Sequence, residues 1–149
     1  MLDLKELYQE VILDHNRNPR NFGTMQHPSC EARGHNPLCG DQLRLFIKLS
    51  GDVIEDICFE GRGCAISQAS ASLMTEALKG LTITQAEHLF ELVHELLTNE
   101  SFDINQLPSM KLQVLAGVRV YPARVKCASL AWHTLIAAIK HQLDAVKTE

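Results

Sequence analysis

The sequence predicts an α+β fold, a three-stranded antiparallel sheet with helices packed on one face. Three observations predict it. Residues 41–50 alternate, with Leu43, Leu45, Ile47 and Leu49 on one side and Gln42, Arg44 and Lys48 on the other. Gly51-Asp52 is a hairpin turn signal, after which Val53 to Glu60 reads as the returning strand with Val53, Ile57 and Phe59 inward. From Gly63 onward the apolar residues recur at helical spacing instead.

The elements follow in order. Leu4, Leu7, Tyr8, Val11 and Ile12 form one helical stripe, with Asp3 and Glu6 as a capping box. The helix is expected to stop before the turn formers of residues 16–23, a surface loop whose two arginines and Phe22 suit a partner surface. A short first strand is expected over Ser29 to Gly34. After the hairpin, Ile66, Ala69, Leu73, Met74, Ala77 and Leu78 mark a helix closed by Gly80. A second begins near Leu81, with Thr84 and Glu87 as its capping box and Leu89, Phe90, Val93, Leu96 and Leu97 as its stripe. Residues 99–110 read as irregular and Lys111 to Ala116 as a short helical piece. Pro122 opens a last long helix with Val125, Ala128, Trp132, Leu135, Ile139 and Leu143 inward. No repeat or linker divides the chain, so residues 1–149 are expected to form a single domain.

Bulk properties narrow the function. The 149 residues are 46% hydrophobic and 21% charged, the composition of an ordinary globular protein. With a net charge of -4 and scattered basic residues, there is no footprint for nucleic acid. No apolar run approaches the roughly 20 residues of a membrane span. Five cysteines cannot all pair with one another, and nothing signals export. The expected compartment is a reducing cytoplasm, where thiols stay free or bind metal.

Chemistry concentrates in three cysteine blocks. Asn36-Pro-Leu-Cys-Gly-Asp41 offers a thiol and a carboxylate two residues apart. Gly61-Arg-Gly-Cys64 puts a thiol where strand gives way to helix, and Pro122-Ala-Arg-Val-Lys-Cys127 places one early in the last helix. Asp41 shares parity with the inward leucines, as does Cys39 if the chain is extended there. A carboxylate on that side is unfavourable unless a cation compensates it. Cys39, Asp41, Cys64 and Cys127 are therefore expected to meet around a metal, and zinc suits such a ligand set. Arg124 and Lys126 would offset the site's negative charge and lower the thiol pKa values, and a helix N-terminus would do the same for Cys64. Gly40, Gly61 and Gly63 allow the turns that let ligands converge. The alternative for any one cysteine is a small buried hydrophobe, the reading given to Cys30 and Cys58. The seven histidines have no metal spacing, although His35 lies near Cys39.

These blocks, together with Asp14-His-Asn-Arg-Asn-Pro-Arg-Asn-Phe-Gly23, resemble the IscU/SufU/NifU N-terminal family of iron–sulfur cluster assembly proteins. The resemblance covers nearly the whole chain and implies the same three-stranded α+β fold. It points to the SufU-like branch. IscU-type scaffolds carry a His directly before the last cysteine, where this chain has Lys126. Tyr121-Pro-Ala-Arg-Val-Lys126 also replaces the chaperone motif of the Leu-Pro-Pro-Val-Lys kind, and the stretch between Cys64 and Cys127 is long.

What the resemblance implies is a zinc-dependent sulfurtransferase. It would accept persulfide sulfur on Cys39 from a pyridoxal-phosphate cysteine desulfurase and pass it to cluster-assembly scaffold proteins. Zinc would sit on Cys39, Asp41, Cys64 and Cys127, and the desulfurase would supply the ligand that frees Cys39. The alternative is a scaffold on which a [2Fe–2S] cluster forms at the same ligands, since thiolates suit both. A structural-zinc adaptor without sulfur chemistry is a third reading. The His-x-Glu and Pro-Cys-x-x-Cys signature of zinc deaminases is missing.

Overall fold

The computed structural model describes residues 4–141 and 146–148. Helix α1 (Leu4–Arg17) leads into three strands, β1 (Cys30–Asn36), β2 (Asp41–Ser50) and β3 (Val53–Arg62). These form the expected antiparallel meander. Helices α2 (Ala65–Leu78), α3 (Ile83–Thr98), α4 (Met110–Gln113) and α5 (Pro122–Ile139) follow, with short 3-10 turns before and after α4. A two-residue strand, β4 (Val146–Lys147), adds to the meander by pairing parallel to β1. Asp3 of the expected first cap and Leu143 of the last stripe lie outside the described residues.

The β2–β3 turn falls at Gly51, whose φ of +63° suits a residue without a Cβ. Beyond it the register departs from simple alternation. Lys48 faces Asp56 but Leu49 faces Ile54, leaving Glu55 as an extra residue in a bulge. The slip moves Ile54 inward, fully buried, and leaves Val53, expected inward, only partly covered.

Both edges of the meander are covered. Phe59 N–H donates to Asn21 O and Gly23 N–H to Phe59 O, so the loop after α1 runs along β3. Ile54 pairs with Gly80 and Leu81 further along the same edge. β4 occupies the β1 edge. Covered edges remove the unpaired backbone groups that would recruit another strand. The loop does expose Phe22, but its ring packs edge-on against Phe59 and Arg20 pairs with Asp14.

Helices α2 and α5 lie on one sheet face, with α1 against α2 and α3 against α5. Trp132, Phe59, Leu45, Ile57, Met74 and Leu96 are wholly or almost wholly buried between them. Gly80 (φ +92°) ends α2 as expected. The α3 capping box is Thr82 with Gln85, not Thr84 with Glu87. Both pairs have the required spacing, but Ile83 N–H donates to Asp52 O and anchors the earlier start.

Candidate metal centre

Three separated pieces of chain converge at one end of the sheet. The register pairs Asn36 with Asp41, so residues 37–40 form the connection between β1 and β2. Gly40 takes φ +72° there, and the chain is not extended at Cys39. Parity therefore fails for Cys39, which is exposed at the tip of the turn. It holds for Asp41, the first residue of β2, which has no solvent exposure.

Cys64 is the N-cap of α2, its sulfur accepting from Ser67 N–H at 3.4 Å. Its own N–H donates to Asp41 Oδ1 at 2.8 Å, and its sulfur lies 3.9 Å from Asp41 Oδ2. Gly63 makes this approach possible, since a Cβ there would strike the Asp41 carboxylate. Cys127, one turn into α5 and 2% exposed, brings its sulfur to 3.3 Å from that of Cys39.

The donor atoms of Cys39, Asp41 and Cys127 all lie within 4.8 Å of one another. Cys64 sits beside that group, in reach of Asp41. Among the described residues neither Cys30, Cys58 nor His35 belongs to it; the His35 carbonyl instead accepts from Thr148 N–H.

Electrostatics depart from expectation at the thiols. Burial pushes the Cys64 thiol up, more than the Ser67 N–H at the helix start pulls it down, and the Asp41 charge adds to the rise. Burial also raises Cys127 strongly, helped by hydrogen bonds with Cys39 and Asp41. Without a cation the inner thiols therefore hold their protons. A dication reverses this, because a coordinating thiol is deprotonated outright. The donor set fits zinc, with thiolates and a carboxylate as ligands. Two thiolates on tetrahedral zinc lie about 3.7 Å apart, so the Cys39–Cys127 pair needs to open by only a few tenths of an ångström.

Residues 7–148 match the family model of the NifU-like N terminal domain. The chain belongs to that family. The zinc-dependent sulfurtransferase SufU of Bacillus subtilis (strain 168) is 43% identical over 133 residues, 89% of each chain. The iron–sulfur cluster assembly scaffold protein IscU of Thermotoga maritima is 39% identical over 136 residues, covering 91% of this chain and 94% of that one. A crystal structure of a candidate SUF-system cluster assembly scaffold from Fervidobacterium islandicum superposes with a TM-score of 0.80 at 35% identity, over 87% of this chain and 94% of that one. The three-stranded α+β architecture is thus shared with solved relatives.

Two contributors to the site escape a reading by spacing. Asn36 is buried, its Nδ2 3.6 Å from Cys127 Sγ and its Oδ1 accepting from Leu38 N–H. Asparagine before proline signals a side chain bonded to its own turn, and that was the available clue. Tyr8, on the inward stripe of α1, lines the groove in front of the thiols. A buried tyrosine needs a partner for its hydroxyl, which is the corresponding clue.

Proposed function

We propose that this protein is an iron–sulfur cluster assembly protein that accepts sulfur on Cys39, with zinc held by Cys39, Asp41, Cys64 and Cys127. The observation that carries the reading is the contrast within one tight donor group. Asp41 and Cys127 are buried and Cys39 is exposed at a turn. The buried members anchor; the exposed one faces a partner. The name of the Bacillus subtilis relative supports the same assignment.

Bound at these residues, zinc keeps the thiolates available at neutral pH. The partner in this reading is a pyridoxal-phosphate cysteine desulfurase carrying a persulfide. The Cys39 thiolate, exposed at the turn, attacks the outer sulfur of that persulfide. A new S–S bond forms at Cys39 as the old one breaks, and the partner's thiolate leaves with the electron pair. No net oxidation occurs. The sulfur then passes from Cys39 to a cluster-assembly scaffold protein. The described cysteines are all free, which suits a reducing cytoplasm.

Desulfurase turnover with and without the zinc-loaded protein tests this. Stimulation by the wild type and none by Cys39→Ala is expected, with circular dichroism unchanged. Undiminished stimulation by the variant would remove Cys39 as acceptor.

A second reading, a scaffold for [2Fe–2S] cluster formation at the same residues, has the Thermotoga maritima relative in its favour. Metal analysis and visible absorption of anaerobically purified protein separate the two. A colourless protein with one zinc supports sulfur transfer; a brown one with paired iron and sulfide supports the scaffold.

A further inference from the structure

The groove in front of the thiols, about 640 Å³, has apolar walls that include Ile12, Leu13 and Ile66, with Cys39, Cys64 and Cys127 along one side. Two of its lining residues are not accounted for by metal binding. Tyr8 is 8% exposed, and its hydroxyl is buried with no hydrogen-bond partner at bonding distance. Its ring is held in place by Gly117, where a Cβ would collide with it at 2.8 Å. Burial raises the phenol, and the neighbouring Arg124 guanidinium opposes the rise through its charge and its hydrogen-bonding capacity, so the two groups are neighbours although no bond between them is closed. Arg124 also lines the groove. Its guanidinium lies 4.3 Å from the Tyr121 ring centroid and forms no ion pair with a described residue.

A buried donor without a partner is unfavourable, so folded proteins rarely keep one without reason. Here the hydroxyl and a neighbouring cation that has no carboxylate partner among the described residues share a groove that opens onto the exposed thiol. We propose that Tyr8 Oη and the Arg124 guanidinium form a donor pair for the anionic terminal sulfur of the persulfide that Cys39 receives.

This rests on the sulfur-acceptor reading. The step brings a persulfide anion against a thiolate in an apolar groove. Like charges repel there more than in water. One persulfide and one thiolate stand on each side of the exchange, so no proton is consumed. The donor pair acts by offsetting the repulsion on approach and by holding the outer sulfur in line with Cys39. Burial raises the phenol pKa, which keeps the O–H intact as a donor.

Tyr8→Phe tests the proposal, because it removes the hydroxyl and keeps the ring against Gly117. The assay is cysteine turnover by the desulfurase at increasing concentrations of zinc-loaded wild type or variant. The expected result is a fall of about tenfold in stimulated kcat, the size of one charge-assisted hydrogen bond. The half-saturating protein concentration stays within about twofold, and zinc content and Tm are unchanged. Arg124→Gln falls in the same direction, and the double variant falls by less than the product of the two. An unchanged kcat in Tyr8→Phe would overturn the donor role, as would a fall explained by lost zinc or a lowered Tm. If the wild type gives no stimulation, the sulfur-acceptor reading itself fails and takes the donor pair with it. If the wild type stimulates and Tyr8→Phe matches it, only the donor pair fails.

Discussion

Helix α5 treats polar atoms differently at two points along its length. Around Trp132 every buried side-chain donor is matched. The indole N–H donates to Ser70 Oγ at 3.1 Å, and the Ser70 hydroxyl donates to Ala128 O at 2.6 Å. This chain ties α2 to α5 across the core. One and a half turns earlier, at Cys127, polar capacity is left over. Asp41 is fully buried, yet its carboxylate meets one N–H, that of Cys64, and otherwise the Cys64 and Cys127 thiols. Two sulfurs face each other at 3.3 Å, and a phenol beside the groove has no partner. A matched network specifies a fold; an unmatched one of acceptors around a gap suits a cation. The difference teaches where stability and function part company on a single helix.

The sharpest way to test the contrast is to cut each of the two networks. Trp132→Ala removes the largest fully buried side chain and takes from Ser70 Oγ the donor it accepts from, leaving its own bond to Ala128 O. A loss of about 3–5 kcal/mol is expected in urea unfolding, the same with or without zinc. Asp41→Asn should instead depend on the metal. In zinc-loaded protein it lowers Tm and weakens zinc binding, by about 10–100-fold if it acts as strongly as losing an outer-shell partner does elsewhere. In chelated protein it leaves Tm unchanged or raises it, because a buried carboxylate without a cation is unfavourable and the amide can still accept from Cys64 N–H. A fall of the same size in both forms would mean that Asp41 is an ordinary structural acceptor, and the contrast would be lost.

What could be read from the chain follows the same division between local and distant. The burial of Asp41 was legible because β2 alternates from that residue through Leu45, before Phe46 breaks the pattern. Cys39 was not, because a four-residue turn breaks the alternation just before it. Glu55 leaves no compositional mark of its bulge, so Val53 and Ile54 exchanged roles unseen. For the α3 cap, Thr82 with Gln85 and Thr84 with Glu87 satisfy the same rule, and only the contact from Ile83 to Asp52 chooses between them. The candidate ligand blocks stood out because cysteine, glycine and proline cluster in them. Asn36 beside Cys127 and Ser70 beside Trp132 depend on how α2 and α5 are set against the sheet, which no short-range pattern encodes. The expectation that a helix start would lower the Cys64 thiol failed for a related reason. The cap is present, but tertiary burial outweighs it.

A smaller effect probes the α1–α2 contact, where His15 is fully buried. Its Nδ1 lies 2.7 Å from Ser72 Oγ, which also accepts from Arg20 N–H, and its Nε2 has no partner. Burial lowers its pKa first and the Arg20 charge adds to this, while Glu76 and Asp14 oppose. Half-buried His133 is lowered too, by burial and then by His94. Because both folded values lie below the ordinary 6.5 or so, the unfolded chain takes up protons that the folded one refuses. The stability these rings contribute is therefore complete above about pH 6.5 and is lost as the pH falls below it. The ceiling is about 1.4 kcal/mol per pH unit for each ring. Urea unfolding of chelated protein at pH 7 and 5.5 measures this without a contribution from proton competition at the candidate metal centre. His15→Gln should flatten the slope between those two points. If the slope survives intact, the ring is being protonated inside the fold, and Nε2 has found an acceptor there after all.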